Sequence, residues 1–124
     1  MKPAVRAMDV EVITGGTPVP PPEERLGVSP HKLLGPYEAR NLGDLFGLTQ
    51  FGAILETIAP GSTSSVRHWH SKSDEFVMVL EGTVTLVSNE GETALTEGMV
   101  AGFKAGVEDA HQLVNKSDAS ARYL

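Results

Sequence analysis

The chain has 124 residues, a length that suits one domain and leaves no room for two of ordinary size. Its formal net charge is −6, with 10 Lys and Arg against 16 Asp and Glu and no dense basic block, so a nucleic-acid or anionic-membrane partner is disfavoured. The absence of cysteine excludes disulfides, thiol catalysis and cysteine-ligated zinc.

The N-terminal sequence MKPAVRAMDVEV lacks the apolar core of a signal peptide, and no apolar run could span a bilayer, which predicts a cytoplasmic protein. Residues 1–40 are predicted to form an N-terminal arm with one short edge strand at 10–13 and an irregular Pro-rich stretch at 14–36. That stretch is interpreted either as a loose tail or as an arm lying across its own fold or a neighbouring subunit.

Residues 41–124 are predicted to form the body of a single β-barrel domain. Many short segments separated by turn signals, without helical periodicity, predict an all-β sandwich or barrel. The expected strands are LFGLTQFGAILETIA (one or two strands), SVRHWH, EFVMVLEG, TVTLVS, ETALTEG, MVAGFKAG, AHQLVN and ARYL.

Residues 76–80 are apolar on both faces, which fits a strand packed against a second sheet or against a partner subunit. This strand and the Pro-rich arm would both expose surface that a monomer prefers to cover, so we expect a homodimer. The final segment ARYL has the pattern of a strand that stops half-way. We expect either that the chain is truncated or that a partner completes the sheet.

The segment HWHSKSDE, residues 68–75, carries the main functional signal together with His111. On a β-strand His68 and His70 would share one face, with Trp69 on the other, and a short turn would return Glu75 alongside them. Three imidazoles and one carboxylate on a concave surface form a ligand set for a divalent transition metal.

The pattern of these residues resembles the cupins, small barrels of the double-stranded β-helix (jelly-roll) type. The first cupin motif matches Gly61, His68, His70, Glu75 and Gly82, and the second matches Gly98, Gly106, His111 and Asn115. Two departures lie in the second motif: Lys104 stands where proline is expected, and the stretch before His111 is longer than the pattern. The sequence around these motifs is similar to the sequences of small single-domain bacterial cupins of unassigned activity.

The resemblance implies that His68, His70, Glu75 and His111 are metal ligands. Nitrogen and oxygen donors suit Fe, Mn, Ni, Zn, Co or Cu, and the ligands alone do not choose among these metals. A pocket for a small-molecule ligand is expected beside the metal. Its predicted apolar lining is Phe51, Val77, Val79, Met99, Phe103 and Leu113.

Three further residues are interpreted conservatively. The isolated His31 is taken as structural, with substrate contact at the barrel mouth as the alternative. Trp69 is assigned to packing in the core or at a subunit interface rather than to a substrate platform. Lys104 is assigned to the surface, with an anionic substrate at the rim as the alternative.

The resemblance implies a metal-dependent enzyme that acts on a small chelating substrate. Dioxygenase-like chemistry is the first expectation, and isomerase or lyase chemistry by metal-assisted proton abstraction is also implied. The alternative is a sensor that binds a small ligand in the same barrel without turnover. No second catalytic residue is evident beside the ligands, which weighs most against isomerisation.

Overall fold

The computed structural model of the chain describes residues 4–124, which form two antiparallel sheets. The strands are β1 (Ile13–Gly15), β2 (Tyr37–Asn41), β3 (Ile54–Ile58), β4 (Glu75–Glu81), β5 (Val84–Ser88), β6 (Gly91–Leu95), β7 (Val100–Phe103), β8 (Gln112–Val114) and β9 (Ala121–Tyr123). The helical elements among these residues are short 3-10 turns at Ala7–Asp9, Pro22–Glu24, Pro30–Leu33 and Asp44–Phe46. Between residues 4 and 124 there is no helix with the length and apolar character needed to cross a membrane.

The strands wind back and forth between the two layers. One sheet has the order β1-β2-β3-β9-β4-β7 and the other the order β6-β5-β8, so the connections β4 to β5, β6 to β7, β7 to β8 and β8 to β9 each change sheet. This alternation is the connectivity of a jelly roll. The predicted all-β jelly-roll class is therefore confirmed.

The hydrophobic core lies between the two sheets. Strand alternation decides which side chains reach it: Val77 and Val79 of β4 are buried, whereas Phe76 and Leu80 of the same strand face outward. The buried cluster comprises Ile58, Val77, Val79, Val84, Leu95, Leu113, Ala121 and Tyr123.

The N-terminal arm is tied to the body where it enters β2. The N–H of Thr63 donates to the Leu34 carbonyl at 2.7 Å, and the Ser62 hydroxyl donates to the Pro36 carbonyl at 2.8 Å. Gly35 has φ +84°, and a Cβ there would lie 2.5 Å from the Ser62 Oγ, so only glycine fits. This end of the arm lies across its own fold.

Three segments differ from the sequence-based prediction: β2 was not predicted, and two other strands lie elsewhere or are shorter than predicted. β2 pairs with both β1 and β3, and the predicted boundary at 40/41 falls inside it. The N-terminal edge strand lies at Ile13–Gly15 rather than at 10–13. Of the segment LFGLTQFGAILETIA, only Ile54–Ile58 is a strand, because a 3-10 turn and glycines precede it.

The strand predicted for SVRHWH is wrong. Residues 65–70 run as bends with an isolated bridge between His68 and His111. The serines around it supply hydrogen bonds that a neighbouring strand would otherwise provide: Ser64 Oγ accepts the N–H of Leu113 at 2.9 Å, and Ser65 Oγ lies 3.0 Å from His68 Nδ1. Short polar side chains compete in this way with ladder formation.

Candidate metal centre

A backbone bridge, not a strand, brings the histidines together. The N–H of His111 donates to the His68 carbonyl at 2.9 Å, and the N–H of His68 donates to the His111 carbonyl at 3.2 Å. The N–H of Gly106 donates to the His70 carbonyl at 2.8 Å, which fixes the backbone of the second histidine. Glu75 opens β4 and therefore points into the same concave surface.

Three imidazole Nε2 atoms converge on the carboxylate of Glu75. The distances to Oε1 are 3.1 Å from His68 and 2.7 Å from His70, and His111 Nε2 lies 2.8 Å from Oε2. Candidate ligand atoms of His68, His70 and Glu75 all lie within 4.8 Å of one another. His111 lies outside that tight group and joins it through the second carboxylate oxygen.

The Nδ1 atoms of two of these rings face backbone carbonyls. His68 Nδ1 lies 2.9 Å from the Val66 carbonyl, and His111 Nδ1 lies 3.1 Å from the Asp109 carbonyl. A carbonyl can only accept, so each Nδ1 carries the hydrogen. This arrangement leaves Nε2 of both rings directed at the centre of the cluster, as metal-ligating histidines require.

The close approach of the ring nitrogens to one carboxylate fits a cation at the centre of the cluster. The ring centroids of His68 and His111 lie 4.9 Å apart, and each ring directs Nε2 at an oxygen of Glu75. A divalent ion would give each Nε2 lone pair a partner. The donor set of three imidazoles and one carboxylate therefore suits a divalent transition metal.

The pKa shifts in the cluster reflect this proximity. Burial acts to lower the pKa of His68, but the hydrogen bond to Val66 and the contact with Glu75 outweigh it, and the pKa lies above its usual value. Burial acts to raise the pKa of Glu75, but the hydrogen bonds from His111 and His68, the charge of His111 and the hydrogen bond from His70 bring it below its usual value.

The four side chains of the cluster differ in exposure. The side chain of His111 is 5% exposed, those of His68 and Glu75 are 32% and 31% exposed, and that of His70 is 44% exposed, so His111 is the innermost member and His70 the outermost. The ring of Phe103 stacks on the imidazole of His111 at 3.6 Å with 6° between their planes. This stacking restricts the orientation of the His111 ring.

Comparison with known proteins agrees with this geometry. The family model described as the cupin domain matches residues 54–124, more than half of the chain. The chain belongs to the cupin superfamily. No protein of curated function matches it significantly.

Several solved structures resemble this cupin. A sugar phosphate isomerase of the cupin superfamily from Silicibacter pomeroyi is 36% identical, with a TM-score of 0.77 over 98% of this chain and 72% of that one. An Acidithiobacillus ferrooxidans protein, provisionally assigned as a sugar phosphate isomerase, is 30% identical, with a TM-score of 0.67 over 71% of this chain and 56% of that one. The polyketide cyclase RemF from Streptomyces resistomycificus shares the fold, with a TM-score of 0.69, 18% identity and coverage of 99% and 76%.

A pocket of about 290 Å³ lies beside the ligand cluster of this cupin. Of the predicted lining, Val77, Phe103 and Leu113 form part of its wall. Polar side chains share the wall with them: Glu56, Ser64, Ser65, Gln112 and Tyr123. Among the described residues that line this inner pocket there is no lysine or arginine.

The other predicted lining residues lie elsewhere. Val79 is fully buried in the core, where neighbouring side chains separate it from the pocket. Met99 lies at the turn between β6 and β7, where its sulfur accepts hydrogen bonds from Thr96. Phe51 is 67% exposed and lines a wider outer cavity of about 1070 Å³, which shares Glu75 and Phe76 with the inner pocket and also contains Lys72.

The three residues interpreted conservatively lie at or near the surface. Trp69 and Lys104 line a cavity of about 260 Å³, and His70, Phe103 and His111 line the same cavity. Trp69 is 40% exposed, so it is not a core residue. His31 is exposed on the 3-10 turn Pro30–Leu33, in the arm.

Two further pocket residues, Glu56 and Tyr123, were not predicted from the sequence. Glu56 lies on β3 directly opposite Tyr123 on β9, and the Tyr123 hydroxyl donates a hydrogen bond to its Oε2. The signal was present in the sequence: Ile54, Glu56 and Ile58 alternate along one strand, so a carboxylate shares the face of two apolar residues. A charge on an apolar strand face indicates a functional role or a buried partner.

Proposed function

We propose that this cupin is a divalent-metal-dependent enzyme that acts on a small organic compound with two neighbouring oxygen atoms. One observation carries the proposal: three imidazole Nε2 atoms and a carboxylate converge at the wall of a largely apolar pocket. Apolar pockets with a few convergent polar groups are the usual form of small-molecule sites.

His68, His70, Glu75 and His111 would hold the metal. Four protein ligands would leave room on the metal for a chelating substrate, and three neutral rings with one carboxylate would leave net positive charge on a divalent ion. When bound, such an ion supplies Lewis-acid stabilisation of negative charge on a substrate oxygen. Phe103 and Leu113 would exclude water from the inner side of the pocket.

Isomerisation of a hydroxy-carbonyl compound is the reaction we favour. The Silicibacter pomeroyi protein, which is 36% identical over 98% of this chain, is a sugar phosphate isomerase, and sugar phosphates carry adjacent oxygen atoms suited to chelation. Dioxygenase-like chemistry, expected from the ligand set, is the second candidate because the same donors and open positions suit iron and dioxygen.

The charge of the pocket bears on the substrate. The inner pocket has no cationic side chain among its described lining, so a phosphate group would extend either toward Lys72, which lines the outer cavity together with Asp44 and Asp74, or toward Lys104, which lines a cavity with His70 and His111. A useful substrate panel therefore pairs each aldose or ketose phosphate with its unphosphorylated counterpart. The comparison within each pair reports whether phosphate contributes to binding.

The test begins with elemental analysis of protein produced without added metal. The loaded protein is then incubated in D₂O with the panel, and exchange of the C–H next to the carbonyl is followed by NMR. We expect bound metal and exchange with at least one substrate. His70→Ala should weaken metal binding by more than the about 10–100-fold that loss of an outer hydrogen-bond partner causes.

His31→Ala is the matched control, because His31 is an exposed histidine in the arm. It should retain both the metal and the exchange. A full metal load in His70→Ala would contradict the proposed centre. If the loaded protein consumes oxygen with a chelating substrate but exchanges no C–H, the dioxygenase candidate replaces the isomerase. If ligands only raise its thermal stability, it is a sensor.

A further inference from the structure

Glu56 is an ionisable side chain in the pocket that the metal centre does not use. It lies on β3 and lines the same pocket as His68, Glu75 and His111. Its carboxylate accepts the hydroxyl of Tyr123, which is 6% exposed. The pair therefore places one carboxylate, held from one side only, at the wall where a metal-bound substrate would lie.

The surroundings of Glu56 are poor in compensating charge. The titratable groups facing it are Tyr123 from β9, Tyr37 from β2, and His68, Glu75 and His111 across the pocket. No lysine or arginine is among the described residues of either cavity that Glu56 lines. Burial raises the pKa of Glu56 above its usual value, and the hydrogen bond from Tyr123 offsets part of that rise.

Tyr123 is suited to remain a donor. Burial and the neighbouring charge of Glu56 raise the pKa of the Tyr123 phenol far above its usual value, so it stays protonated. It can therefore orient the carboxylate without exchanging its own proton. A carboxylic acid whose pKa is raised by burial is better matched to general acid–base work at neutral pH than an exposed one.

We propose that Glu56 is the catalytic acid–base group of this pocket and that Tyr123 is its positioning residue. The inference rests on the proposed isomerase function and supplies the residue that the ligand cluster lacks. It is carried by the shared pocket, the inward-facing register of β3 and the hydrogen bond to Tyr123.

The proposed step is a balanced proton transfer. The Glu56 carboxylate accepts the proton from the carbon beside the substrate carbonyl, and the C–H electron pair becomes the double bond of an enediol. Glu56 then returns the proton to the neighbouring carbon, while a hydroxyl proton passes between the two substrate oxygens. No electrons are gained or lost, so no oxidant or reductant is required.

The first test compares C–H exchange in D₂O for the wild type, Glu56→Gln and Glu38→Gln, each with its metal content measured. Glu38 is the matched control, an exposed carboxylate on β2 opposite Thr57. Glu56→Gln should keep the metal and lose at least about 100-fold in exchange rate, the lower range for a general acid–base group. Glu38→Gln should change neither the metal content nor the exchange rate. An exchange rate in Glu56→Gln equal to that of the wild type would overturn the proposal.

Tyr123→Phe tests the positioning role. Without the donated hydrogen bond the Glu56 carboxylate is less stabilised, so the acid limb of the pH–rate profile should move to higher pH. Loss of rate with an unmoved limb would show that Tyr123 acts only through packing.

The second test does not depend on turnover. Oxalate, a dianionic chelator, is titrated calorimetrically into the metal-loaded wild type and variants at neutral pH. Removing a neighbouring negative charge should tighten oxalate binding several-fold in Glu56→Gln and not in Glu38→Gln. Equal affinity in all three proteins would overturn the placement of Glu56 beside the ligand. If Glu56→Gln binds oxalate more tightly but the wild type exchanges no substrate C–H, the isomerase function is rejected and Glu56 remains an ionisable group of the pocket.

Discussion

The partly buried carboxylate of Glu56 lowers the stability of the folded chain while it serves the proposed acid–base role. Its pKa is raised in the folded chain, so the stability it contributes is fully present below about pH 4.5, the usual value, and is lost as pH rises through its folded pKa. Glu56→Gln keeps an acceptor for Tyr123 but has no charge to bury. We therefore expect its melting temperature to rise relative to the wild type as pH increases from about 4 to 8.

Thermal melts of the wild type, Glu56→Gln and Glu38→Gln across that pH range provide the measurement. The difference in melting temperature between the wild type and Glu38→Gln should change little across this pH range, because the Glu38 side chain is exposed and has no burial to lose. A difference between the wild type and Glu56→Gln that does not change with pH would show that the carboxylate is not destabilised by burial. Active-site groups often reduce the stability of the fold that holds them.

The four residues proposed as metal ligands could be named from the sequence, but their local structure could not be predicted from it. His68 and His70 lie close together as strand alternation predicts, but not on a strand, because a bridge to His111 and serine hydrogen bonds shape this segment. The stacking of Phe103 on His111 depends on tertiary packing and has no sequence signal. Glu56 did have such a signal, because it shares one face of β3 with Ile54 and Ile58.

Among the connections between elements, Arg67 joins the turn between β5 and β6 to the loop that precedes His111. Its Nε and Nη2 donate to the Ala110 carbonyl at 3.0 and 2.7 Å, and Nη2 also donates to Asn89 Oδ1 at 2.8 Å. Asn89 lies in the turn between β5 and β6, and Ala110 directly precedes His111. The backbone that presents His111 is therefore tied to the second sheet.

Arg67→Ala should destabilise the fold by about 1 kcal/mol, because charge-assisted hydrogen bonds are lost at an exposed site. It should also weaken zinc binding by about 10-fold, as loss of an outer partner does. Denaturant unfolding and competition with a chelator measure the two effects. Arg67→Lys should rescue little, since a single ammonium cannot reproduce the planar fork.

The matched control is Arg25→Ala, which removes a hydrogen bond to the Pro20 carbonyl within the exposed arm. It should leave zinc binding unchanged. Equal loss of zinc affinity in the two alanine variants would mean that Arg67 supports the fold in general rather than the loop before His111.

The strands from β4 onward were predictable because alternation and turn residues agree there. Val77 and Val79 alternate with outward side chains, and the Asn-Glu-Gly turn follows β5. β2 escaped prediction because its sequence YEARN is polar, and it is held by pairing with β1 and β3 rather than by an apolar face. Pairing with distant strands is a tertiary property that a short window does not contain.

At the scale of the whole molecule, one face of the larger sheet carries exposed apolar side chains. Phe76 is 65% exposed and Leu80 43% on β4, Val100 on β7 is 54% exposed, and Val100 lies directly opposite Met78. Strand alternation puts these side chains on the face away from the core. A contiguous apolar face of this kind favours association, and β7 is an edge strand of its sheet.

We therefore predict a homodimer that buries this face, which light scattering at micromolar concentration should report as twice the 13.2 kDa of the chain. Val100→Glu should shift the protein toward monomer without unfolding it, because the position is solvent-exposed in the single chain and a buried glutamate at the interface would be unpaired. Leu26→Glu is the control, since Leu26 is 97% exposed on the Pro-rich arm. If Leu26→Glu dissociates the dimer and Val100→Glu does not, the interface lies on the arm. A monomeric wild type would contradict the predicted dimer.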